Sequence, residues 1–282
     1  MTEVIKRDGT RESLNIEKLH KVVTFACEEI AGVSASEVEI HSQIQFFDGI
    51  KTEDVQETLI KSAADLISEE TPNYQWVAGR LINYHLRKMV YGQFDPWDLY
   101  TLVVKNVENG FYDKDILATY TKAEFNKLNS YIKHQRDNTL TYAAMEQFRG
   151  KYLVQNRVTK QIFETPQMAY MLIAMTLFQS YPKETRVKWV KDYYDAISTF
   201  DISLPTPVMA GVRTPQRQFS SCVLIETDDS LDSINASTSS IVKYVSQKAG
   251  IGIGAGRIRA LGSPIRSGDA YHTGVIPFYK MF

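Results

Sequence analysis

The sequence predicts a mixed α/β protein that is mainly helical, and three observations support this fold class. Residues 1–90 alternate short extended segments with helical hydrophobic patterns, which is typical of a small α/β unit. Residues 91–200 continue with mostly helical patterns and many Tyr and Phe side chains. After Ile202, proline and glycine interrupt the pattern, and a short apolar run, a helix and a glycine-rich stretch follow.

Composition limits the class of protein further. The 282 residues are 44% hydrophobic, which is enough for one large core or two unequal ones. The 32 basic and 33 acidic residues nearly cancel, so we expect no DNA partner. Two cysteines make no disulfide framework, and the N-terminal MTEVIKRDGT has no apolar signal segment. No apolar run approaches the roughly 20 residues of a membrane span. These features predict a cytoplasmic protein with no membrane partner.

The N-terminal unit is predicted to contain a hairpin and three helices. Asp8-Gly9 predicts a tight turn within residues 2–14. Thr52 is expected to cap the second helix, and a third helix follows Pro72. Cys27 lies on the apolar stripe of the first helix, where a small packing residue is expected. This stripe recurs at three- and four-residue steps and consists of Ile16, Leu19, Val23, Ala26, Cys27 and Ile30.

The remaining chain divides at Ile202. Glycine and proline break the helical middle near Gly92, Gly110, Gly150 and Pro182. Beyond Ile202, the run FSSCVLIE predicts a buried strand. A helix is then predicted to begin at Asp228-Asp229-Ser230 and to stop at Gly250.

Two basic segments suit phosphate groups. Lys6-Arg7-Asp8-Gly9 joins two cations to a glycine turn, with Lys18 on the next helix, although a solvated hairpin tip fits the same pattern. The second segment, GIGIGAGR, lacks the glycine spacing of a dinucleotide fingerprint and follows a helix rather than a strand. Flexible backbone beside Arg257, Arg259 and Arg266 fits either a phosphate-gripping loop or a turn-rich connection whose arginines pair with acids.

Three further positions have both a structural and a functional interpretation. Asp229 and Ser230 suit an N-cap, and the same helix start can hold a ligand hydroxyl or phosphate. Thr206 lies between Pro205 and Pro207 and is either a strand-entry turn or a stiff ligand-presenting segment. Cys222 heads an apolar run, where packing is the common role, and no metal-ligand spacing such as C-x-x-C accompanies it, so we expect no metal site.

Together these segments resemble a known family. Resemblance to the ATP-cone, an adenine-nucleotide-sensing domain, rests on KRDG, N-x-x-K (Asn15 to Lys18), DGIKT and LRK (Leu86 to Lys88). Resemblance to the large subunit of class I ribonucleotide reductase rests on YGQF, GKYLVQNR, ISLPTPVM, GVRTPQRQFSSCVLIE, DSLDSI, KYVSQKAGIGI, GRIRALGSPIR and HTG with IPFYK. The match runs nearly from end to end in register.

This resemblance implies three domains and an activity. Residues 1–90 correspond to the ATP-cone, 91–205 to a helical domain, and 206–282 to the start of a ten-stranded α/β barrel that is incomplete in this chain. The family is an oxidoreductase that converts ribonucleoside diphosphates to deoxyribonucleoside diphosphates. A thiyl radical takes the 3′ hydrogen of the substrate, and two further cysteines supply electrons and become a disulfide.

The same resemblance assigns roles to individual residues. Cys222 matches the first cysteine of the reducing pair, and Thr206, Ser221 and Gly250 match the surroundings of the substrate. The specificity site, where a deoxynucleoside triphosphate selects the base to be reduced, is matched by Asp229, Ser230, Leu231, Arg259 and Arg266. The ATP or dATP contacts of the cone are matched by Lys6, Arg7, Glu12, Asn15, Lys18, Thr52 and Lys88.

Cofactors and partners follow from the family as well. No covalent cofactor is expected on this chain, and Mg²⁺ is expected to accompany the nucleotide effectors. A separate small subunit supplies the radical, thioredoxin or glutaredoxin supplies electrons, and the large subunit pairs as a homodimer. Gln56 stands where the family often has a histidine near the adenine nucleotide, which leaves inhibition by dATP open.

The sequence departs from the family in its extent. It stops at FYKMF, before the radical cysteine and the second reducing cysteine of the family. We therefore expect either half of a split reductase, completed by a companion chain, or a shortened form, and an isolated chain that is inactive. The alternative function is a non-catalytic module that senses ATP or dATP.

Overall fold

The computed structural model describes residues 2–43, 45–247 and 249–282. Lys248, part of the motif KYVSQKAGIGI, lies outside them. The chain forms two compact units, Met1–Gln216 and Arg217–Phe282. Helices dominate, and the described strands form sheets of only two or three strands, with no closed barrel among them. The predicted fold class, mixed α/β and mainly helical with an incomplete barrel, is confirmed.

The first unit opens with a three-stranded sheet and four helices. Strand β1 lies in the middle, antiparallel to β2 and parallel to β3. The turn between β1 and β2 occurs at Gly9, whose φ is 84° and whose N–H donates to the Lys6 carbonyl over 3.0 Å, as predicted. The elements are β1 Glu3–Ile5, β2 Arg11–Ser13, α1 Ile16–Cys27, α2 Ala35–Gln43, β3 Ile50–Lys51, α3 Thr52–Asp65 and α4 Tyr74–Tyr91.

Two predictions for this region were wrong or incomplete. Thr52 does not cap α3: it is the first residue of the helix, Lys51 takes the cap position, and no side-chain cap bond forms. The chain passes directly from β3 into α3, and Glu53 and Asp54 in the first turn compensate the helix dipole. Helix α2 was not predicted, because it buries little more than Val38 and Ser42 and so lacks a clear apolar stripe.

The rest of the first unit is helical. Helix α9 is its centre, since the residues from Pro166 to Met175 are all buried. Of the described helices, none combines the length and the apolar character that crossing a membrane requires. The elements are α5 Leu99–Glu108, α6 Asp115–Thr119, α7 Lys122–Tyr131, a 3₁₀ helix His134–Thr139, α8 Tyr142–Gln147, a π-helical turn Phe148–Tyr152, α9 Pro166–Leu177, α10 Lys183–Ser198 and α11 Thr206–Gly211.

The second unit contains a parallel strand pair with a helix between its strands. Strands β4 and β5 pair from Cys222 with Gly250 to Glu226 with Gly254. A small core of Ile234, Ala255 and Ile258 packs with Phe278 and Phe282. The elements are β4 Cys222–Glu226, α12 Leu231–Ser246, β5 Gly250–Gly254, β6 Pro264–Ile265, a 3₁₀ turn Arg266–Gly268, β7 Ala270–Tyr271 and α13 Ile276–Met281.

Two predictions for the second unit need correction. Strand β4 is not buried: its residues alternate between exposed and half-buried, and Leu224 is 87% exposed. The reason is that α12 packs on the β4–β5 pair from one face, so the other face, which carries Leu224, is left uncovered within this unit. Helix α12 ends at Ser246 rather than at Gly250, which instead begins β5.

Asp137 makes the stability of the first unit depend on pH. Burial raises the pKa of this carboxyl to about 7, which the charge of Arg87 opposes only in part. The folded-state pKa of Asp137 exceeds the ordinary value of about 3.9. The contribution of this carboxyl to the free energy of unfolding is therefore complete below about pH 3.9 and is lost as pH rises towards 7. We expect the free energy of unfolding of Asp137→Asn, compared with that of the unmodified chain, to rise by about 1–4 kcal/mol as pH increases from about 4 to about 8.

Thermal unfolding of both proteins over this pH range measures the difference. Burial lowers the pKa of His134 to about 4, which acts in the opposite direction, but His134 is present in both proteins and cancels in the comparison. The exposed Asp192 offers a matched control, and Asp192→Asn should show no such pH dependence. A constant difference for Asp137→Asn would contradict the prediction.

Candidate functional site

The first unit contains a cavity of about 650 Å³ between the β1–β2 hairpin, α1, the start of α3 and the end of α4. Its lining includes five basic and two acidic side chains, and this excess of positive charge suits an anionic ligand. All seven residues that the sequence predicted to contact ATP or dATP line this cavity, although they come from four separate elements. They are Lys6, Arg7, Glu12, Asn15, Lys18, Thr52 and Lys88.

Polar contacts hold the basic side of this cavity in place. Lys6 Nζ lies 2.9 Å from Glu12 Oε1, and this hydrogen bond lowers the pKa of the Glu12 carboxyl. Arg7 Nη1 donates to the Lys88 carbonyl over 2.6 Å, and its Nε lies 3.2 Å from Glu53 Oε1. Arg7 therefore links the hairpin to the end of α4.

Two further residues that line the cavity fix the backbone next to them. Asn15 caps α1, with its Oδ1 accepting from the Lys18 N–H over 2.9 Å. Asp8 accepts from both the hydroxyl and the backbone N–H of Thr10, and these bonds lower the pKa of its carboxyl. The hairpin tip is thus an ordered turn that presents its neighbouring cations to the cavity.

Aromatic rings also line the cavity, close to its cations: Lys88 Nζ lies 5.7 Å from the centroid of the Tyr84 ring. Phe25 and Tyr84 line the cavity, and both rings contact Phe94, with centroid distances of 5.7 and 5.3 Å. A flat ring can stack on a nucleobase, and such stacking contributes about 1–3 kcal/mol per base. The cavity therefore combines groups that suit phosphates with groups that suit a base.

Part of this wall was not predicted from the sequence. Lys21, Val22 and Phe25 continue the face of α1 that begins at Lys18, and the helical spacing of three and four residues was the signal that could have identified them. Gln56 also lines the cavity, and its Oε1 is buried with no hydrogen-bond partner among the described residues.

In the second unit, the structure places Ser221, Cys222 and Gly250 together. Cys222 begins β4 directly opposite Gly250, whose N–H donates to the Ser221 carbonyl over 3.0 Å. The Cys222 thiol is exposed, with its Sγ 3.8 Å from Ser221 Oγ. Thr206, the remaining predicted substrate residue, is exposed and begins α11 in the other unit.

The glycines of strand β5 allow close packing of the side chains of β4. Gly252 faces Leu224 and Gly254 faces Glu226. A Cβ atom would lie 2.7 Å from Leu224 Cδ2 at the first glycine and 2.8 Å from Glu226 Oε2 at the second. The interpretation of this segment as a loop was wrong, and the strict Gly-Ile-Gly-Ile alternation was the missed strand signal. The two glycines thus leave room for the side chains of Leu224 and Glu226, which lie over them.

Cys27, the other cysteine, is half-buried on α1, and burial raises the pKa of its thiol to about 11. This agrees with the predicted packing role, since a protonated thiol is a weak nucleophile. The groups of His, Cys, Asp and Glu in the described ranges include no cluster of three that could hold a metal ion.

Four of the five predicted specificity residues meet at the start of α12, where Arg259 binds Asp229 beside Ser230 and Leu231. Ser230 is the N-cap as expected, with its Oγ accepting from the Ser233 N–H over 3.1 Å. Asp229 is not a cap: it accepts from the Arg259 N–H over 3.0 Å and from Arg259 Nε over 2.7 Å. These bonds lower the pKa of the Asp229 carboxyl. The physical reason is that a paired guanidinium and amide satisfy the carboxylate better than one helix N–H.

The other arginines and Leu231 lie at the edges of this arrangement. Leu231 begins α12 and is exposed. Arg259 Nη1 donates to the Pro264 carbonyl over 3.1 Å, two residues before Arg266, which has a left-handed φ of 50°. Arg257 Nε lies 3.4 Å from Glu226 Oε1. Pairing of Arg257 and Arg259 with acids, one of the two sequence interpretations, is therefore present.

Comparison with family models gives three consecutive matches. Residues 2–89 match the ATP cone domain, residues 138–217 match the all-alpha domain of ribonucleotide reductase, and residues 220–282 match its barrel domain. The ATP cone match implies that the first unit binds a nucleotide effector.

Curated relatives are similar over the whole chain. Ribonucleoside-diphosphate reductase 1 subunit alpha of Escherichia coli is 62% identical over 279 residues, which are 99% of this chain and 37% of that protein. The corresponding alpha subunit of Haemophilus influenzae is 61% identical over the same shares. That of enterobacteria phage T4 is 48% identical over all of this chain and 37% of its own length. The chain thus spans a little over a third of the relatives that it matches.

Proposed function

Since the chain belongs to the ribonucleotide reductase family and corresponds to the N-terminal part of its alpha subunit, we propose that it supplies the effector sites and one reducing thiol for ribonucleoside-diphosphate reduction. The observation that carries this proposal is the meeting of all seven predicted nucleotide-contacting side chains at one cavity. The non-catalytic alternative is not favoured, because the reductase matches extend well beyond the ATP cone.

The cavity of the first unit would bind ATP or dATP. The phosphates of the nucleotide would lie against Lys6, Arg7 and Lys18, since ammonium and guanidinium groups give charge-assisted hydrogen bonds to phosphate oxygens. The base would stack on Phe25 or Tyr84. Mg²⁺ binds nucleotide phosphates and prefers oxygen ligands. The carboxylates of Asp8 and Glu12, which line the same cavity, would offer such oxygens.

A second effector would bind in the second unit. Arg259 is already oriented by Asp229, and with Arg266 it offers positive charge to the phosphates of a deoxynucleoside triphosphate. Ser230 and Leu231 would meet the same ligand at the start of α12. The two effector sites would then lie on separate units and act on one reaction, which is the arrangement that allosteric control requires.

Cys222 would supply one of the two reducing thiols. In the reduction, the 2′-hydroxyl of the ribonucleoside diphosphate leaves as water, and two thiols lose two electrons and two protons as they form a disulfide. Ser221 and the Gly250 backbone lie beside the Cys222 thiol. Thr206 would hold the substrate diphosphate and Ser221 the ribose, with the Gly250 backbone nearby. The second thiol would come from the polypeptide that carries the rest of the barrel.

The proposal therefore requires several partners. A companion chain would complete the barrel, a second copy of the alpha subunit would form the homodimer, and a small subunit would supply the radical. Thioredoxin or glutaredoxin would reduce the disulfide after each turnover.

Complementation tests the proposal directly. We expect the chain, mixed with a polypeptide carrying the remaining barrel, the small subunit and a dithiol reductant, to convert ribonucleoside diphosphates to deoxyribonucleoside diphosphates. Calorimetry with ATP and dATP on the same protein tests the cavity separately. Nucleotide binding without co-elution or activity would leave only a sensor and would overturn the catalytic part of the proposal.

A further inference from the structure

Helix α11, which begins at Thr206, is too short to hold its own position. It has six residues, and isolated helices shorter than about 12–15 residues are marginal in water. Its location must therefore be fixed by contacts with the surrounding unit. The side chain that makes the strongest of these contacts is Arg213, two residues beyond the end of the helix.

Arg213 is completely buried and binds the end of α11 from inside the unit. Its Nη1 donates to the Met209 carbonyl over 2.6 Å, and its Nη2 donates to the Tyr152 carbonyl over 2.9 Å. The last four carbonyls of a helix have no partner within the helix, so the Met209 bond satisfies one of them. Through Arg213, α11 is thereby attached to the π-helical turn that ends at Tyr152.

Glu164 holds the guanidinium from the other side. It is also completely buried, and its Oε2 accepts from Arg213 Nε over 2.8 Å, while Oε1 accepts from Arg213 Nη2. The same carboxylate accepts from the Tyr112 hydroxyl and from the Val154 N–H, each over 2.6 Å. The Asp113 N–H donates to the Arg213 carbonyl over 2.9 Å. Both charges are thus fixed by groups on separate segments.

A buried ion pair contributes little net stability compared with apolar side chains of similar volume, because desolvation of the two charges offsets their attraction. This pair instead fixes the orientation of the Arg213 side chain, because a planar guanidinium bound by both oxygens of a carboxylate has one preferred orientation. That orientation determines where the Met209 carbonyl, and with it the short helix, can lie.

We propose that Arg213 and Glu164 are positioning residues for Thr206, and that they set its place in the diphosphate-binding part of the substrate site. This inference rests on the proposed function, in which Thr206 holds the substrate diphosphate. The pair does not touch substrate; it acts through α11. Loosening it moves or mobilises Thr206 and weakens substrate binding more than it slows the chemical step.

The test uses the chain together with its companion polypeptide and the small subunit. Glu164→Gln keeps the shape of the side chain and removes its charge. Arg213→Lys keeps the charge and removes the planar guanidinium. We expect either change to raise the KM for the ribonucleoside diphosphate about tenfold, because one or two buried polar contacts are lost. We expect kcat to change less than about threefold. Hydrogen exchange should speed up at the amides of residues 208–212.

A matched control comes from another ion pair of the same unit. Arg186 Nη2 lies 2.8 Å from Glu124 Oε2, and both side chains are nearly buried. Arg186→Lys should lower thermal stability without raising KM or the exchange of α11. Equal KM values for all variants and the unmodified chain, or an equal rise for Arg186→Lys, would overturn the inference.

A milder variant guards against loss of folding. Tyr112→Phe removes one hydrogen bond to Glu164 and keeps the ring, and we expect a rise in KM of about two- to fivefold. If Glu164→Gln does not fold, this variant decides the question, and an unchanged KM rejects the proposal. If the unmodified mixture reduces no substrate, the proposed function fails. Hydrogen exchange at residues 208–212 still decides whether Arg213 and Glu164 hold α11 in place.

Discussion

Replacement of Cys222 by serine is expected to abolish multiple turnover in the reconstituted reductase. Serine matches cysteine in shape, so β4 should keep its pairing with Gly250. A hydroxyl cannot form a disulfide, so the pair can no longer deliver the two electrons that each cycle requires. The measurement is steady-state formation of deoxyribonucleoside diphosphate with a dithiol reductant, and we expect the rate to fall to that of a mixture without this chain.

The other cysteine gives the matched control. Cys27→Ser removes a half-buried thiol on α1, so a small loss of thermal stability with unchanged turnover is expected. Steady-state rates for Cys222→Ser within twofold of the unmodified chain would show that this thiol is not one of the reducing pair.

Loss of single cations from the cavity should weaken ATP binding strongly. A hydrogen bond to a charged group contributes about 1.5–3 kcal/mol, which corresponds to about a 10- to 100-fold change in Kd. We expect Lys18→Ala and Lys88→Ala each to raise the Kd for ATP by this factor. Isothermal titration at two salt concentrations measures it, and the loss should be larger at low salt.

Lys61 provides the comparison for these variants. It is exposed on α3 and does not line the cavity, so Lys61→Ala carries the same change in net charge at a distance. If Lys61→Ala weakened ATP binding as much as Lys18→Ala, the effect would come from net charge, and ATP would not bind among these residues.

Local sequence signals predicted the parts of the fold that depend on near neighbours. Asp8-Gly9 predicted the hairpin because glycine readily adopts the positive φ of that turn. The apolar stripe predicted α1 because one face of this helix is buried. Strand β5 was missed because glycine normally disfavours a strand, and here pairing with β4 overrides that preference.

The candidate site was predictable to a different extent in each unit. Lys6 and Lys88 meet at one cavity only after the hairpin packs beside α4, and the resemblance to a family, rather than spacing, identified them together. Asp229 was expected to cap a helix because the nearest donor in sequence is a helix N–H, whereas its partner Arg259 is 30 residues away. Arg213 and Glu164 are 49 residues apart, and no local pattern indicates that two such charges are buried together.

The unequal environments of the two cysteines have a practical consequence. A thiol reacts with alkylating dyes as the thiolate, and burial holds Cys27 protonated with a pKa of about 11. Cys222 is exposed at the start of its strand. The unmodified chain therefore carries a single selective attachment point for a fluorophore or spin label, beside the glycine-lined backbone, and spectroscopy of this region needs no engineered cysteine.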